Sequence, residues 1–395
     1  MGGVGDDRSS YCSGGGCGTG TGRGDDGSVC PITALGLLQF SAWPSRLQQL
    51  KVRAIDILDL LLNCDKMIFG IAAIDCDSSI PAINITVALP VGAANFTSIQ
   101  GAVNYVPENN NQWFRILVQA GDYSEQVAVN RSCIILEGDS HGGTTIKFNA
   151  HDTPLDSPTF YLTQEAENFV AKYINFKNIF NYAKYRFDGY NRMMNGKRGM
   201  NDPEIKPAVA ALVMGDKASF YYCNFYGVQD TLWDQQGRHF YQNCRIEGLC
   251  DFIWGNAQSY YEISHNCHLV SQGAGYITAQ GMETEDQPTG FVFNGGIVSG
   301  IGPTYLGRAY RGHSRVIFNG TSFDSNVINP LGWSSWDYTG HEANFTYVEA
   351  SCDARLNKQG KEMEKILDST EIKKFITYSF INDPEQWINN NNLPY

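Results

Sequence analysis

The sequence contains few charged residues and few of the patterns that mark nucleic-acid-binding, membrane-spanning or zinc-binding proteins. Asp, Glu, Lys and Arg make up 18% of the 395 residues, and a net charge of −12 argues against a surface that binds nucleic-acid phosphates. The longest uncharged apolar run in the first half, at 68–74, is much too short to span a bilayer. The eleven Cys residues include no CxxC pair. We therefore expect no nucleic-acid partner, no membrane segment and no metal site.

Composition does not settle where the protein is located. The opening MGGVGDDRSS has neither the charged n-region nor the apolar h-region of a signal peptide. Five N-x-S/T sequons point weakly the other way, towards secretion, and they begin at Asn84, Asn95, Asn130, Asn319 and Asn344. Eleven is an odd number of Cys, so not all of them can pair within the chain.

What the chain does contain is typical of a β-rich, turn-rich protein: 41 Gly, 21 Tyr and 21 Phe. Residues 1–80 differ from the rest, and we assign them to an atypical amino-terminal extension. Within it, residues 1–30 are low-complexity Gly, Ser and Asp and are predicted to be disordered. The apolar spacing at 47–63 predicts an amphipathic helix, which either rests on the main domain or acts as a docking helix or pro-segment.

From 81 to 395 the sequence consists of short β-rich segments that recur at a loose period, and we assign this range to one domain. Alignment of the segments on Cys223, Cys244, Cys267 and Gly295 gives steps of 21, 23 and 28 residues. Strands at such a period predict a parallel β-helix in which each repeat is one turn of a solenoid. A β-sandwich would instead give strands every 8–12 residues. The three Cys then form an internal ladder of buried thiols, with disulfide or metal roles as the alternative.

Two Asp residues occupy matching positions in two successive segments. Asp230 lies in GVQDTLW and Asp251 in GLCDFIWGNA, and 251 − 230 = 21 residues is one repeat. Residues one repeat apart lie on adjacent turns, so both carboxylates emerge on one face among apolar side chains. Two close carboxylates in such surroundings have pKa values that are pushed apart, which suits one as a nucleophile and the other as an acid. The alternative is that each Asp only caps a turn.

Six ordered motifs resemble those of plant pectin methylesterases, over roughly residues 84 to 390. GVQDTLW is similar to GxQDTL, and GLCDFIWGNA to GxVDFIFGNA. The others are GDYSE at 121–125, ITAQG at 277–281, LGRAY at 306–310 and PLGW at 330–333. The resemblance implies an all-β, single-stranded, right-handed parallel β-helix of the pectin-lyase-like type. It also implies hydrolysis of galacturonate methyl esters in pectin, with release of methanol and without a cofactor.

The resemblance assigns roles to four polar residues. Asp251 is the nucleophile, and Asp230 protonates the departing methanol and then acts as a base on water. Arg308 pairs with Asp251 through its planar, permanently charged guanidinium, the alternative being a weak surface salt bridge. Gln229 donates a hydrogen bond to the oxyanion of the tetrahedral intermediate.

The resemblance also implies a substrate cleft and a biological setting. Tyr310 and Trp333 line the cleft and offer flat faces to sugar rings, although either could instead fill the core. The implied partners are methylesterified homogalacturonan and a proteinaceous pectinesterase inhibitor. The implied location is the plant cell wall, after secretion, and we expect a monomer.

The chain departs from the family pattern at several motif positions. Pro207 stands where the family has a second Gln, in a segment usually written QAVAL, so one oxyanion donor is lost. LGRPW becomes LGRAY, and Cys250 replaces the Val before the proposed nucleophile. The loss of this donor leaves open a catalytically weakened homologue that binds pectin or a cell-wall partner. Paired carboxylates also cleave glycosidic bonds, so another β-helix enzyme, a glycosidase or lyase, stays open as well.

Overall fold

The structure is a computed structural model that describes residues 74–89, 94–151, 153, 155–183, 205–272, 274–324, 326–352, 363–382 and 387–388. The disorder predicted for 1–30 and the helix predicted for 47–63 lie outside these residues. Among the described residues no helix is both long and apolar enough to cross a membrane.

The described residues form 24 strands, most of them short, and six short helices, of which three are α-helices and three are 3₁₀-helices. The strands are β1 Ile83–Val87, β2 Phe114–Val118, β3 Gly121–Tyr123, β4 Val127–Val129, β5 Ile134–Glu137, β6 Thr144–Phe148, β7 Phe160–Leu162, β8 Phe169–Lys172, β9 Ile174–Asn178, β10 Ala211–Val213, β11 Ala218–Tyr221, β12 Asn224–Tyr226, β13 Leu232–Asp234, β14 Arg238–Gln242, β15 Arg245–Gly248, β16 Ile253–Gly255, β17 Gln258–Gln272, β18 Tyr276–Gln280, β19 Gly290–Ile301, β20 Tyr305–Ala309, β21 Arg315–Asn319, β22 Ser322–Phe323, β23 Trp333–Ser334 and β24 Thr346–Ala350. The α-helices are α1 Ile99–Tyr105, α2 Ser369–Lys373 and α3 Ser379–Asn382, and the 3₁₀-helices are Asn181–Ala183, Trp336–Tyr338 and Glu342–Asn344.

The strands are wound into a parallel β-helix. One eight-stranded sheet has the order β23-β20-β18-β16-β13-β10-β7-β4, and we call it the site sheet. The other sixteen strands form a second sheet, which makes up the remaining two faces of the β-helix. These two faces belong to one sheet because β17 and β19 bend from one face to the other and pair with strands of both. Every strand pairing between the described elements is parallel, and Leu232 pairs with Ile253 at an offset of 21 residues. The predicted fold and its repeat are therefore confirmed.

The interior is filled by aromatic side chains that stack from turn to turn. Phe220, Tyr241, Tyr261, Phe293 and Phe318 form one ladder, with successive ring centroids 4.9, 4.6, 4.5 and 4.5 Å apart. Stacked rings at this separation add to the stabilisation that burial of apolar area provides. The stacked rings hold each turn in register with the next one. They thereby help to set the positions of the loops that flank the site sheet.

Two of the three predicted core thiols lie in this interior. Cys223 and Cys244 are fully buried and belong to the main hydrophobic cluster, and neither forms a disulfide. The prediction of an internal thiol ladder is confirmed for these two residues. The side chain of Cys267 is outside those that the structure describes.

The GDYSE motif closes the amino-terminal end of the solenoid. Glu125 accepts hydrogen bonds from the backbone N–H groups of Ile99 and Gln100, at 2.9 and 3.1 Å, at the start of α1. A carboxylate at this position satisfies N–H groups that have no partner within the helix. Tyr123 is buried, and its hydroxyl donates to the carbonyl of Gln119 at 3.0 Å. The motif therefore has a structural role here.

A disulfide joins Cys76 to Cys133, across 57 residues of sequence. A cross-link that closes a loop of this length stabilises the fold by about 3–4 kcal/mol, chiefly by restricting the unfolded chain. We expect reduction to lower the free energy of unfolding by about this amount, measured by urea denaturation with and without dithiothreitol. Cys76→Ser is expected to start at the lower stability and to be insensitive to the reductant; an equal response of both proteins would contradict this contribution.

Candidate active site

Two acidic residues precede neighbouring strands of the site sheet. The backbone N–H of Asp230 donates to the carbonyl of Cys250 at 3.0 Å, and Gln229 pairs with Cys250 in a parallel bridge. The same offset of 21 residues places Asp230 beside Asp251 on the adjacent turn. Both residues have left-handed backbone angles, with φ of 61° and 47°, which non-glycine residues rarely adopt outside special sites. The structure therefore brings the two predicted acids together on adjacent turns.

Arg308 is held against Asp251 from two strands further along the sheet. Its Nε donates to one carboxylate oxygen of Asp251 at 2.8 Å, and its terminal nitrogen donates to the other. The two side chains are only 14% and 9% exposed, so this is a partly buried, bidentate pair and not a weak surface contact. The preceding Gly307 is required by packing, because a Cβ there would lie 2.1 Å from Oγ1 of Thr278.

Burial and charge place the two carboxyl groups in different environments. Burial raises the pKa of Asp251, while the Arg308 charge and hydrogen bonds oppose this rise. Burial, followed by the negative charge of Asp251, raises the pKa of Asp230 well above its usual range. Because the cation is hydrogen-bonded to Asp251, the favoured state of the pair has Asp251 ionised and Asp230 protonated.

Gln229 and Pro207 lie beside the acids on successive turns. Gln229 is half-buried, and its side chain hydrogen-bonds with Asp230. The backbone N–H of Ala208 donates to the carbonyl of Gln229 at 3.3 Å, so Pro207 is adjacent to the turn that carries Gln229. A proline there presents neither a side-chain donor nor a backbone N–H.

The structure separates the two aromatic residues that the sequence placed in the cleft. Tyr310 is half-buried and stacks on Trp336 with ring centroids 6.0 Å apart, next to Arg308. Trp333 is 1% exposed and stacks on Tyr347 at 4.2 Å inside the solenoid. Its indole N–H donates to Glu349 at 3.1 Å. The prediction that Trp333 lines the cleft is corrected: it fills the core.

Sequence reasoning missed three aromatic residues near the acids. The guanidinium carbon of Arg308 lies 3.7 Å from the ring centroid of Trp336 and 4.7 Å from that of Tyr276. Trp254 makes an edge contact with Tyr310 at 6.0 Å, and its buried Nε1 has no hydrogen-bond partner among the described residues. For Trp336 the only sequence signal was the repeated Trp in WSSW, and nothing singled out Tyr276.

The described part of the chain contains no cluster of three or more His, Cys, Asp or Glu side chains that could hold a metal ion. Cys250 is buried beside the two acids, and this burial raises the pKa of its thiol far above neutrality. A thiol in that state is not a nucleophile at neutral pH. The site therefore offers two carboxyl groups, one guanidinium and one primary amide for chemistry.

Comparison with known proteins identifies related sequences over most of the chain. The family model described as Pectinesterase matches residues 84–186 and 193–384. Probable pectinesterase 55 of Arabidopsis thaliana is 39% identical over 303 residues, which cover 74% of this chain and 86% of that protein. Probable pectinesterase 29 of the same plant is 38% identical over 303 residues, covering 74% and 85%.

A solved structure agrees with these sequence matches. Pectin methylesterase from carrot superposes with a TM-score of 0.65 at 28% identity, over 77% of this chain and 95% of that protein. The six motifs, the 21-residue register and the paired acids all lie inside the matched range.

Proposed function

The chain belongs to the pectinesterase family, and we propose that Asp251 and Asp230 carry out the ester hydrolysis that this family catalyses. It is a carboxylic ester hydrolase that removes methyl esters from pectin. The expected family resemblance is thereby confirmed. The roles of individual residues, proposed below, are supported most directly by the bidentate contact of Arg308 with Asp251 and not with Asp230.

In the first step Asp251 attacks the ester. A carboxylate oxygen of Asp251 forms a bond to the carbonyl carbon of a methylated galacturonate, and the bond from that carbon to the methoxy oxygen breaks. Asp230 gives its proton to the departing oxygen, so that methanol leaves and Asp230 becomes a carboxylate. The product on the enzyme is an anhydride between Asp251 and the galacturonyl group.

In the second step water releases the product. Ionised Asp230 takes a proton from water, whose oxygen attacks the galacturonyl carbon. The bond from that carbon to Asp251 breaks, which regenerates ionised Asp251 and protonated Asp230 and releases galacturonic acid, whose remaining proton passes to the solvent. The raised pKa of Asp230 suits it to both tasks, because the group must hold a proton before the first step and accept one in the second.

The neighbouring residues orient the ester and stabilise charge. Arg308 keeps Asp251 ionised and fixes the plane of its carboxylate. The amide of Gln229 donates to the carbonyl oxygen as negative charge develops there. Tyr310 offers a half-exposed ring next to Arg308, which suits contact with the methyl ester or a sugar ring.

We expect Pro207→Gln to raise kcat for methanol release by about 10-fold, with little change in KM, because it restores a donor whose loss typically costs about 10²–10³ in rate. Pro207→Leu, which adds bulk without a donor, is the matched control and should not raise kcat. If Pro207→Gln leaves kcat unchanged, the wild-type site is not limited by the missing donor. The alternative hypothesis of a catalytically weakened, pectin-binding homologue would then lose its main support.

We further propose that the protein acts in the plant cell wall on methylesterified homogalacturonan, as a monomer, and that a proteinaceous inhibitor is a second partner. The disulfide between Cys76 and Cys133 supports an oxidising compartment such as the secretory pathway. The plant relatives support the cell wall as the site of action.

One assay separates the proposed function from its alternatives. Purified protein is incubated with highly methylated pectin, and methanol, new reducing ends and unsaturated ends are measured together. Methanol without chain cleavage is the expected result. Chain cleavage would indicate a glycosidase or lyase, and binding without any product would indicate a weakened homologue.

A further inference from the structure

Arg308 lies between two aromatic rings as well as against Asp251. Its guanidinium carbon is 3.7 Å from the ring centroid of Trp336 and 4.7 Å from that of Tyr276. A planar guanidinium is attracted to the faces of aromatic rings, and such contacts are stronger where water is excluded. We call Arg308 and these two rings the arginine sandwich. Tyr276 is 9% exposed and Trp336 is half-buried, so the sandwich is largely closed to solvent.

The hydroxyl of Ser334 connects the backbone of Trp336 with the hydroxyl of Tyr276. The backbone N–H of Trp336 donates to Oγ of Ser334 at 3.3 Å, and Ser334 hydrogen-bonds with the hydroxyl of Tyr276. Ser334 pairs in register with Arg308 on the next strand of the site sheet. The sandwich is therefore fixed to the backbone that carries the arginine.

Trp336 adopts an unusual backbone conformation in order to occupy this position. Its φ is 49°, in the left-handed region that bulky residues rarely adopt and that persists where surrounding contacts enforce it. Its ring also stacks on Tyr310, which links the sandwich to the proposed cleft. A strained residue packed against the cation of a catalytic pair is consistent with a role in the reaction.

An arginine needs such support because its side chain is long and has many rotamers. Only one orientation presents both nitrogens to the two oxygens of Asp251, and small misplacements of catalytic groups reduce rates strongly. The ionisable groups that interact with Arg308 are Asp251, Asp230, Cys250 and Tyr276. Among them, Asp251 alone is hydrogen-bonded to it by both ends of the guanidinium fork.

We propose that Tyr276 and Trp336 are positioning residues that hold the guanidinium of Arg308 in the plane needed to keep Asp251 ionised and aimed at the ester. This inference rests on the proposed function of Asp251. It assigns the two aromatic residues an effect on the nucleophile through Arg308, without requiring that either one contacts the substrate.

The test compares leucine and phenylalanine at both positions, since phenylalanine keeps a ring face and leucine does not. Trp336→Leu and Tyr276→Leu are expected to lower kcat by about 10–100-fold with a smaller change in KM. Displacement of the cation lets the pKa of Asp251 rise, so the acidic limb of the pH profile of kcat/KM should move to higher pH. Trp336→Phe and Tyr276→Phe should retain most of kcat and the original acidic limb.

Tyr222→Leu serves as the control, because Tyr222 is 47% exposed and stacks on Tyr173 away from the acids. It should leave both kcat and the pH profile unchanged. Thermal unfolding of each variant is recorded, and if a leucine variant does not fold, the same comparison is made with Trp336→Met or Tyr276→Met.

Folded leucine variants with an unmoved acidic limb would overturn the inference, as would a rise in KM alone, which would assign these rings to sugar binding. Failure of the proposed function has a different signature. In that case Asp251→Asn would remain active, whereas failure of the positioning role leaves Asp251→Asn inactive and only the leucine profiles unchanged.

Discussion

Asp251→Asn is expected to abolish methanol release from pectin, with kcat reduced by about 10⁴-fold or more. Asparagine has nearly the shape of aspartate, but its neutral amide cannot form the anhydride with the substrate. The measurement is methanol production over hours at high enzyme concentration, alongside circular dichroism to show that the β-helix is intact. Because the substitution removes one partner of a partly buried ion pair, we also expect a lower melting temperature.

Asp122→Asn is the matched control for this variant. Asp122 is an exposed carboxylate that pairs with Lys147 at 2.6 Å, on the turn near the amino-terminal end. Surface ion pairs of this kind contribute little to stability, so activity and melting temperature should both stay close to those of the wild type. Retention of more than about 1% of wild-type kcat by Asp251→Asn would assign the nucleophile to another group.

Asp230→Asn is expected to reduce kcat for methyl esters by about 10²–10⁴-fold, because the departing methoxy group then has no proton donor and the attacking water has no base. The loss should depend on the leaving group. An ester of p-nitrophenol needs no proton to depart, so the variant should still form the acyl-enzyme from it and then release product slowly. Stopped-flow absorbance with such an ester of a short galacturonate oligomer measures the two phases.

The same substitution is expected to stabilise the fold. The pKa of Asp230 is raised in the folded state, so folding favours the protonated form and ionisation opposes it. The loss of folding free energy that this raised pKa causes is absent below the pKa of unfolded Asp230, near 3.8. It grows as the pH rises towards the pKa of Asp230 in the folded protein. The melting temperature of Asp230→Asn should therefore exceed that of the wild type at pH 7, by an amount corresponding to roughly 1–3 kcal/mol, and the two should converge at pH 3–4. A lower melting temperature at pH 7 would contradict a raised pKa of Asp230 in the folded state.

The fold could be predicted from sequence because successive turns of the solenoid have the same pattern of buried residues. Each turn buries similar residues at the same phase, so the 21-residue step from Cys223 to Cys244 already contains the register of the sheets. The same step placed Asp230 over Asp251 without knowledge of any contact. The resemblance of the motifs then supplied Arg308, whose strand lies more than fifty residues further along the chain.

Apart from Tyr310, the aromatic residues of the site could not be predicted in the same way. Trp333 and Trp336 lie three residues apart in WSSW, and composition cannot tell which of them faces inward. The answer depends on where β23 ends: Trp333 lies in the strand and points into the core, and the left-handed backbone at Trp336 returns its ring to Arg308. Such a reversal at the end of a strand breaks the alternation on which sequence reasoning depends.

The pairing of Cys76 with Cys133 was also beyond prediction. With eleven Cys in the chain, sequence allows many pairings, and only the contact between the residues before β1 and those before β5 selects this one. The raised pKa of Asp230 could not be predicted either, because it depends on burial by residues that are distant in the sequence.

The most direct measurement of the role of Asp251 is mass spectrometry of the acyl-enzyme. Asp230→Asn is mixed with the p-nitrophenyl ester of a galacturonate oligomer, quenched in acid during the slow phase and digested. We expect a burst of one nitrophenolate per enzyme and a galacturonyl adduct on the peptide that contains Asp251, with neither in the Asp230→Asn/Asp251→Asn double variant. An adduct on a different residue, or an equal burst in the double variant, would contradict the assignment of Asp251 as the nucleophile.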